Sequence, residues 1–179
     1  PVYAMPEMRR FLESNGPWGQ LVDYENIAIT TMADRMAVVL TEDLSVTPFL
    51  VPHRREYSET VGFIIEGPER SAIFLPDINS WRAFDEQGTR IESLIANAQI
   101  AFLDATFYGD ELPNISAFPH PKILESMQRF DGLDAAEKSK VRFIHLNHSN
   151  PALLAGSAER RAISGRGFAV ASEGERHCL

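Results

Sequence analysis

Apolar positions alternate with period two through much of the first half of the chain. In the second half, short apolar runs trade places with segments of helical spacing. Val2 to Ala4 reads as a strand. A helix follows from Pro6, with proline in its first turn and Met8, Phe11 and Leu12 on one face. Asn15-Gly16-Pro17 predicts its end. From Leu21 to His53 the pattern is extended: Ile27 and Ile29 alternate with smaller or polar residues, Asp34-Arg35 offers a turn, and Met36 to Leu40 and Leu44 to Val51 continue as strands. Val61 to Glu66 and Ser71 to Leu75 flank Gly67-Pro68-Glu69-Arg70, a hairpin turn.

Beyond this point helices enter. Ile91, Leu94 and Ile95 fit one, Ile123, Leu124, Met127 and Phe130 a second over Pro121 to Phe130, and Asp134 caps a third running to Lys140. Val141 to His145 is a strand, Pro151 to Leu154 a helical turn, and Gly167 to Cys178 a hairpin turning at Glu173-Gly174. Antiparallel strands followed by alternating helix and strand predict one α/β domain over residues 1–179, or part of one.

Four of the apolar runs end on a histidine or an aspartate: His53 after Phe49-Leu50-Val51-Pro52, Asp77 after Phe74-Leu75-Pro76, Asp104 after Phe102-Leu103, and His145 after Phe143-Ile144. Buried strands that each deliver one such side chain at a carboxyl end build sites at a sheet edge in α/β proteins. Imidazole and carboxylate together are the ligand set for zinc, iron or manganese.

Each residue also has a plainer reading. His53 suits a charged surface loop, and Gly62 beyond it suits either a bulge or close backbone approach. Asp77 suits a helix N-cap as well as a ligand whose two oxygens bridge two cations. Asp104 is a turn residue or the orienting partner of His120, which two prolines hold rigidly in Pro119-His120-Pro121. His145 and His148, spaced i, i+3 after a strand, are the least bland signal, with Asn147, Ser149 and Asn150 as nearby donors able to fix imidazole tautomers. There is no phosphate-binding glycine loop, dinucleotide fingerprint or Gly-x-Ser-x-Gly elbow.

A net charge of −8 argues against nucleic-acid or anionic-membrane partners. The single cysteine, Cys178, allows no intrachain disulfide and no thiolate zinc cage. With no signal-peptide pattern and no apolar run of about 20 residues, a cytoplasmic protein is expected. The chain starts at Pro1, without Met, on an apparent strand; loss of an initiator Met before Pro would explain the first observation and a fragment boundary both.

Taken in order, VPHRREYSETVGF, FLPDINSW, DATFYGDEL with FPHPKI, FIHLNHSNP and the closing ASEGERHCL resemble the second half of the metallo-β-lactamase superfamily, and within it the coenzyme PQQ synthesis protein B family. The opening PVYAMPEMRRFLESNGPWGQL resembles that family too. The resemblance implies an αββα sandwich, or the carboxyl-terminal half of one, with up to two transition-metal ions in a complete domain. Zinc or iron is implied, and manganese fits the same ligands. It makes His53, Asp77 and His145 ligands, with Asp77 bridging. It makes Asp104 and His120 a proton-transfer pair, and places His148, Asn147 and Asn150 behind the ligands or facing substrate.

The family's His-x-His-x-Asp-His motif does not occur in this sequence. The expectation is therefore the carboxyl-terminal part of a longer enzyme, or a truncated relative that forms a homodimer through an apolar sheet face left bare. The implied activity is iron-dependent oxidative hydroxylation of a tyrosine in a peptide precursor of the quinone cofactor. A phosphodiesterase-type hydrolase acting through activated water and a non-catalytic binding module are the alternatives. The substrate expected is a small molecule or a peptide.

Overall fold

The computed structural model describes residues 1–179. Its nine strands form two sheets, a two-stranded one of β1 (Val2–Ala4) and β2 (Ile29–Thr31) and a seven-stranded one in strict chain order. The large sheet comprises β3 (Val38–Thr41), β4 (Leu44–Leu50), β5 (Val61–Glu66), β6 (Ser71–Leu75), β7 (Ile100–Asp104), β8 (Val141–Ile144) and β9 (Ala169–Val170). Pairing is antiparallel from β3 to β6 and parallel from β6 to β9. This is the change of regime that the sequence pattern predicts.

Helices occupy the parallel crossovers: α3 (Trp81–Glu86) and α4 (Ile91–Asn97) before β7, α5 (Ile123–Arg129) and α6 (Ala135–Lys140) before β8, and α7 (Ala158–Gly165) before β9. The other two, α1 (Pro6–Ser14) and α2 (Gly16–Asp23), lie between β1 and β2.

Register decides which residues share a face. Ile73, Ala101 and Val141 align across β6, β7 and β8, as do Leu75, Leu103 and Phe143. All six are buried in one cluster with Trp81, Phe84, Ile91, Ile95, Met127 and Ile163 from the helices. Burial of that apolar area, at roughly 25 cal/mol per Å2, is what holds the helices on this face. Gly62 sits opposite Phe49 on β4, and a Cβ there would lie 2.4 Å from the phenylalanine ring. Close approach, and not a bulge, accounts for the glycine.

The opposite face carries Phe63, Phe74, Phe102 and Ile144 and is covered only in part. Residues 172–179 cross it: Glu175 pairs with Arg142 at 3.0 Å, His177 stacks edge-on against Phe102, and Leu179 packs on Gly67. Tyr3 and Met32 of the small sheet region share a cavity with Val38, Leu40, Val46 and Phe63. Phe74 remains 40% exposed.

Several elements differ from expectation. Asn15 ends α1 and starts α2, because Pro17 falls in a first turn, where its missing N–H costs nothing, so Leu21 and Val22 are helical and not extended. Ser80 caps α3 and Ser157 caps α7, each accepting from the backbone three residues on. The closing hairpin does not form. Ala169–Val170 pairs parallel to β8 instead, and Gly174, at φ 78°, turns a segment that makes no second strand.

Candidate metal centre

Strand direction brings the four endings together. Two successive antiparallel pairings make β4 run the same way as β6, and β7 and β8 are parallel to β6. The carboxyl ends of β4, β6, β7 and β8 therefore lie at one edge of the sheet, and His53, Asp77, Asp104 and His145 are delivered there. His120 joins them from the loop before α5. The His53 and His120 rings are 5.7 Å apart and the His120 and His145 rings 5.8 Å.

Asp104 is the fixed point. It is fully buried and accepts four hydrogen bonds: from Ile78 N–H at 3.0 Å and His120 Nδ1–H at 2.8 Å on Oδ2, and from Thr106 N–H at 2.9 Å and Thr106 Oγ1–H at 2.7 Å on Oδ1. Burial pushes its pKa up, but the hydrogen bond and charge of His120, the nearby His145 imidazole and the bonds from Thr106 outweigh it, and the net direction is down. The group stays a carboxylate.

An ionised carboxylate can only accept, which settles the imidazole tautomers. His120 donates through Nδ1. Thr106 commits its hydroxyl proton to Asp104, so its oxygen accepts from His145 Nδ1–H at 2.9 Å. His53 Nδ1–H donates to Asn79 Oδ1 at 2.8 Å. His120 and His145 are thus left with an Nε2 lone pair, the form that ligates a metal or takes up a proton, whereas His53 Nε2 faces the Asp77 carboxylate. His145 is further biased toward the charged form, chiefly through Asp104, with Asp77 adding a smaller effect against the opposing influence of burial.

Asp77 closes the site. Its Oδ2 lies 3.2 Å from His53 Nε2, while Oδ1, buried and 3.5 Å from His120 Nδ1, has no hydrogen-bond partner. It is the one buried side-chain oxygen or nitrogen left without a hydrogen bond, and such a vacancy costs about 1–3 kcal/mol unless something fills it. Asp77 does not cap α3, because Ser80 does. One donor atom each from Asp77, Asp104, His120 and His145 lies within 4.8 Å of the others. The orphaned oxygen and the open Nε2 positions suit a divalent cation.

His53, expected as a ligand, is not one of these four although its Nε2 lies 3.2 Å from Asp77, and the remaining expected residues also fall outside the cluster. His148 is exposed and makes no hydrogen bond to a protein group. Asn150 is buried but spends its amide on Ala105 O and Thr106 O and accepts from Ala152 N–H, clamping the loop after β8. Asn147 donates to Ser149. The groups that meet the imidazoles are Asn79, Thr106 and Asp104. The first two were not singled out from sequence, although each stands two residues after a strand-end aspartate.

An α/β layer whose strand ends gather histidine and aspartate around an open donor set has the side chains that a divalent cation would need. The chain belongs to the beta-lactamase superfamily: the family model described as "Beta-lactamase superfamily domain" matches residues 1–163. Among curated relatives, it is similar to coenzyme PQQ synthesis protein B of Gluconobacter oxydans (strain 621H), 29% identical over 125 residues, 65% of this chain and 39% of that protein. The same protein of Gluconacetobacter diazotrophicus is 28% identical over 156 residues, 74% of this chain and 48% of the relative. The chain spans about half the length of the curated relatives it matches, or less.

Among solved structures, zinc-bound PqqB from Methylobacterium extorquens superposes with TM-score 0.77 at 22% identity over 99% of this chain and 64% of that one. A diphosphatase of the PhnP family gives 0.63 at 21% identity, covering 98% and 56%, and unliganded yeast PDE1 gives 0.63 at 12%, covering 97% and 58%. The fold is therefore that of the metallo-β-lactamases. No helix is long and apolar enough to cross a membrane.

Proposed function

We propose that the chain carries the strand-end part of a metal-dependent active site of the coenzyme PQQ synthesis protein B kind, acting on a small molecule or peptide in the making of that cofactor. The single observation that carries this reading is the Asp104 network, which presets His120 and His145 beside an Asp77 oxygen with nothing to bind. His53, Asp77 and His145 would hold the cation. A cation there supplies Lewis acidity and, if it is iron, one-electron chemistry with oxygen.

The protein's own contribution is proton handling. Asp104 orients His120 through its Nδ1–H, so Nε2 can take a proton from the reacting group without the ring turning. His145, tied through Thr106 to the same carboxylate, is kept in register with it.

A second reading is a phosphodiester hydrolase built on the same residues, favoured by the likeness in fold to a diphosphatase and to yeast PDE1. Metal analysis of the purified protein, followed by oxygen uptake with a tyrosine-containing peptide and release of p-nitrophenol from bis(p-nitrophenyl) phosphate, separates the two. Bound iron with peptide-dependent oxygen uptake is expected; zinc or manganese with p-nitrophenol release would favour the hydrolase. A protein that takes up no transition metal under any loading condition would overturn both readings and favour a non-catalytic binding module. In the active protein, His120→Ala should slow turnover about 100-fold or more with metal content unchanged.

A further inference from the structure

We propose that the cleft beside His145 is a subsite for a carboxylate carried on an apolar body, with Arg160 as its anchor. This rests on the metal-site reading, since the subsite serves a reaction only if His145 faces the reacting atoms. The cleft has a volume of about 630 Å3, within the roughly 300–1,000 Å3 of small-ligand sites. His145 forms part of its wall, and Leu146, Leu153 and Val170 give it apolar surface, Phe143 itself being fully buried.

Arg160, on α7, is the one arginine or lysine on that wall. It is half-buried and its guanidinium reaches only Ala152 O and Val170 O, both at 3.4 Å, the long limit of a hydrogen bond. It pairs with no carboxylate. The other half-buried arginines of the helix-and-sheet layer do: Arg129 with Asp85 and Glu92, Arg142 with Glu175, and Arg166 with Asp131. A guanidinium carries five N–H donors in a fork that matches a carboxylate, so Arg160 has donors to spare.

Glu173, on the same wall, selects among anions. Its charge opposes a dianion such as a phosphate monoester more strongly than a single carboxylate, and it tolerates a zwitterion. An apolar body lying along Leu146 and Leu153 with its carboxylate on Arg160 would place the substrate against the His145 side of the site.

The test is binding to metal-free protein, read by titration calorimetry, of 3-phenylpropionate and of its uncharged amide. The acid should bind at least tenfold more tightly than the amide. Arg160→Gln should erase that preference and Arg160→Lys should restore part of it. Glu173→Gln, which leaves the α7 contacts alone, should tighten the acid about threefold and leave the amide unchanged. Equal binding of acid and amide to the wild type would overturn the proposal. So would a folded Arg160→Gln variant that keeps the preference, or, should that variant not fold, a Glu173→Gln variant without effect. Metal uptake on reloading the same preparation keeps the two ideas apart: a protein that takes up metal but is blind to the carboxylate loses only the subsite, and a protein that takes up none loses the reading beneath it.

Discussion

At His145 the backbone turns left-handed, φ +61°, immediately after β8 ends at Ile144. A side chain with a Cβ pays about 1–2 kcal/mol for that conformation, and such strain at a strand end persists where the surroundings over-determine it. Here Ala105 N–H binds Ile144 O at 3.0 Å and Thr106 holds the ring itself. The strain and the metal-facing role therefore sit on one residue and can be pulled apart. His145→Gly and His145→Ala both lose the imidazole, and both should lose metal. The glycine variant should be more stable than the alanine variant by about 1 kcal/mol in chemical denaturation, because only glycine adopts that φ freely. Equal stability would mean that the turn relaxes in the variants and that the wild-type geometry is imposed by the imidazole.

Between elements, the strongest polar link is Arg129 on α5, which forks onto Asp85 at 2.8 and 3.0 Å and onto Glu92 at 2.7 and 2.8 Å. One side chain thus ties α3, α4 and α5 together over the core. Burial raises the Glu92 pKa, but the hydrogen bonds and charge of Arg129, with smaller help from Arg90 and the backbone, lower it further, so its net direction is down. A carboxyl whose folded pKa lies below its unfolded value adds stability that is present above the unfolded value, near 4.5, and is lost as pH falls through the folded one. Acid unfolding should therefore steepen below about pH 4.5. Arg129→Met should cost about 2 kcal/mol at neutral pH, a figure reduced for the partial exposure of Asp85, and should flatten that acid limb. An unchanged acid limb in the variant would place the pH sensitivity elsewhere.

These helices also mark where sequence reading succeeds and fails. The endings of β4, β6, β7 and β8 were legible because each apolar run stops at a residue of different chemistry. In contrast, α2, α3 and α7 were missed because they are short and bury only Gly19, Trp81 with Phe84, and Ile163 respectively, too few positions to set a period. Thr106 and Asn79 were missed for another reason: the contact of Thr106 with His145 spans 39 positions and that of Asn79 with His53 spans 26, so no local pattern announces either.

For the molecule as a whole, the cluster at the sheet edge is both the functional site and the least satisfied polar region of the fold. Asp77 Oδ1 has no partner, and two imidazoles, His120 and His145, hold open lone pairs beside two carboxylates. Folding gathers these groups from strands separated by nearly a hundred residues, so the unfolded chain offers no comparable site, and a cation bound there stabilises the folded state alone. At a free metal concentration about 100 times the Kd, that coupling is worth about 2.7 kcal/mol. In a chain of this length it should raise Tm by about 5–10 °C. Zinc or ferrous iron added to chelator-treated protein should produce the rise, and a chelator should reverse it. Asp77→Asn removes the negative charge while keeping the shape, and should abolish most of the shift. His148→Ala, outside the cluster, should leave it intact. Glu175→Gln tests a competing account in which metal merely clamps the closing segment through His177 and Glu175, 2.8 Å apart on the far face of the sheet. Loss of the shift in Glu175→Gln with retention in Asp77→Asn would move the metal site from the strand ends to that segment.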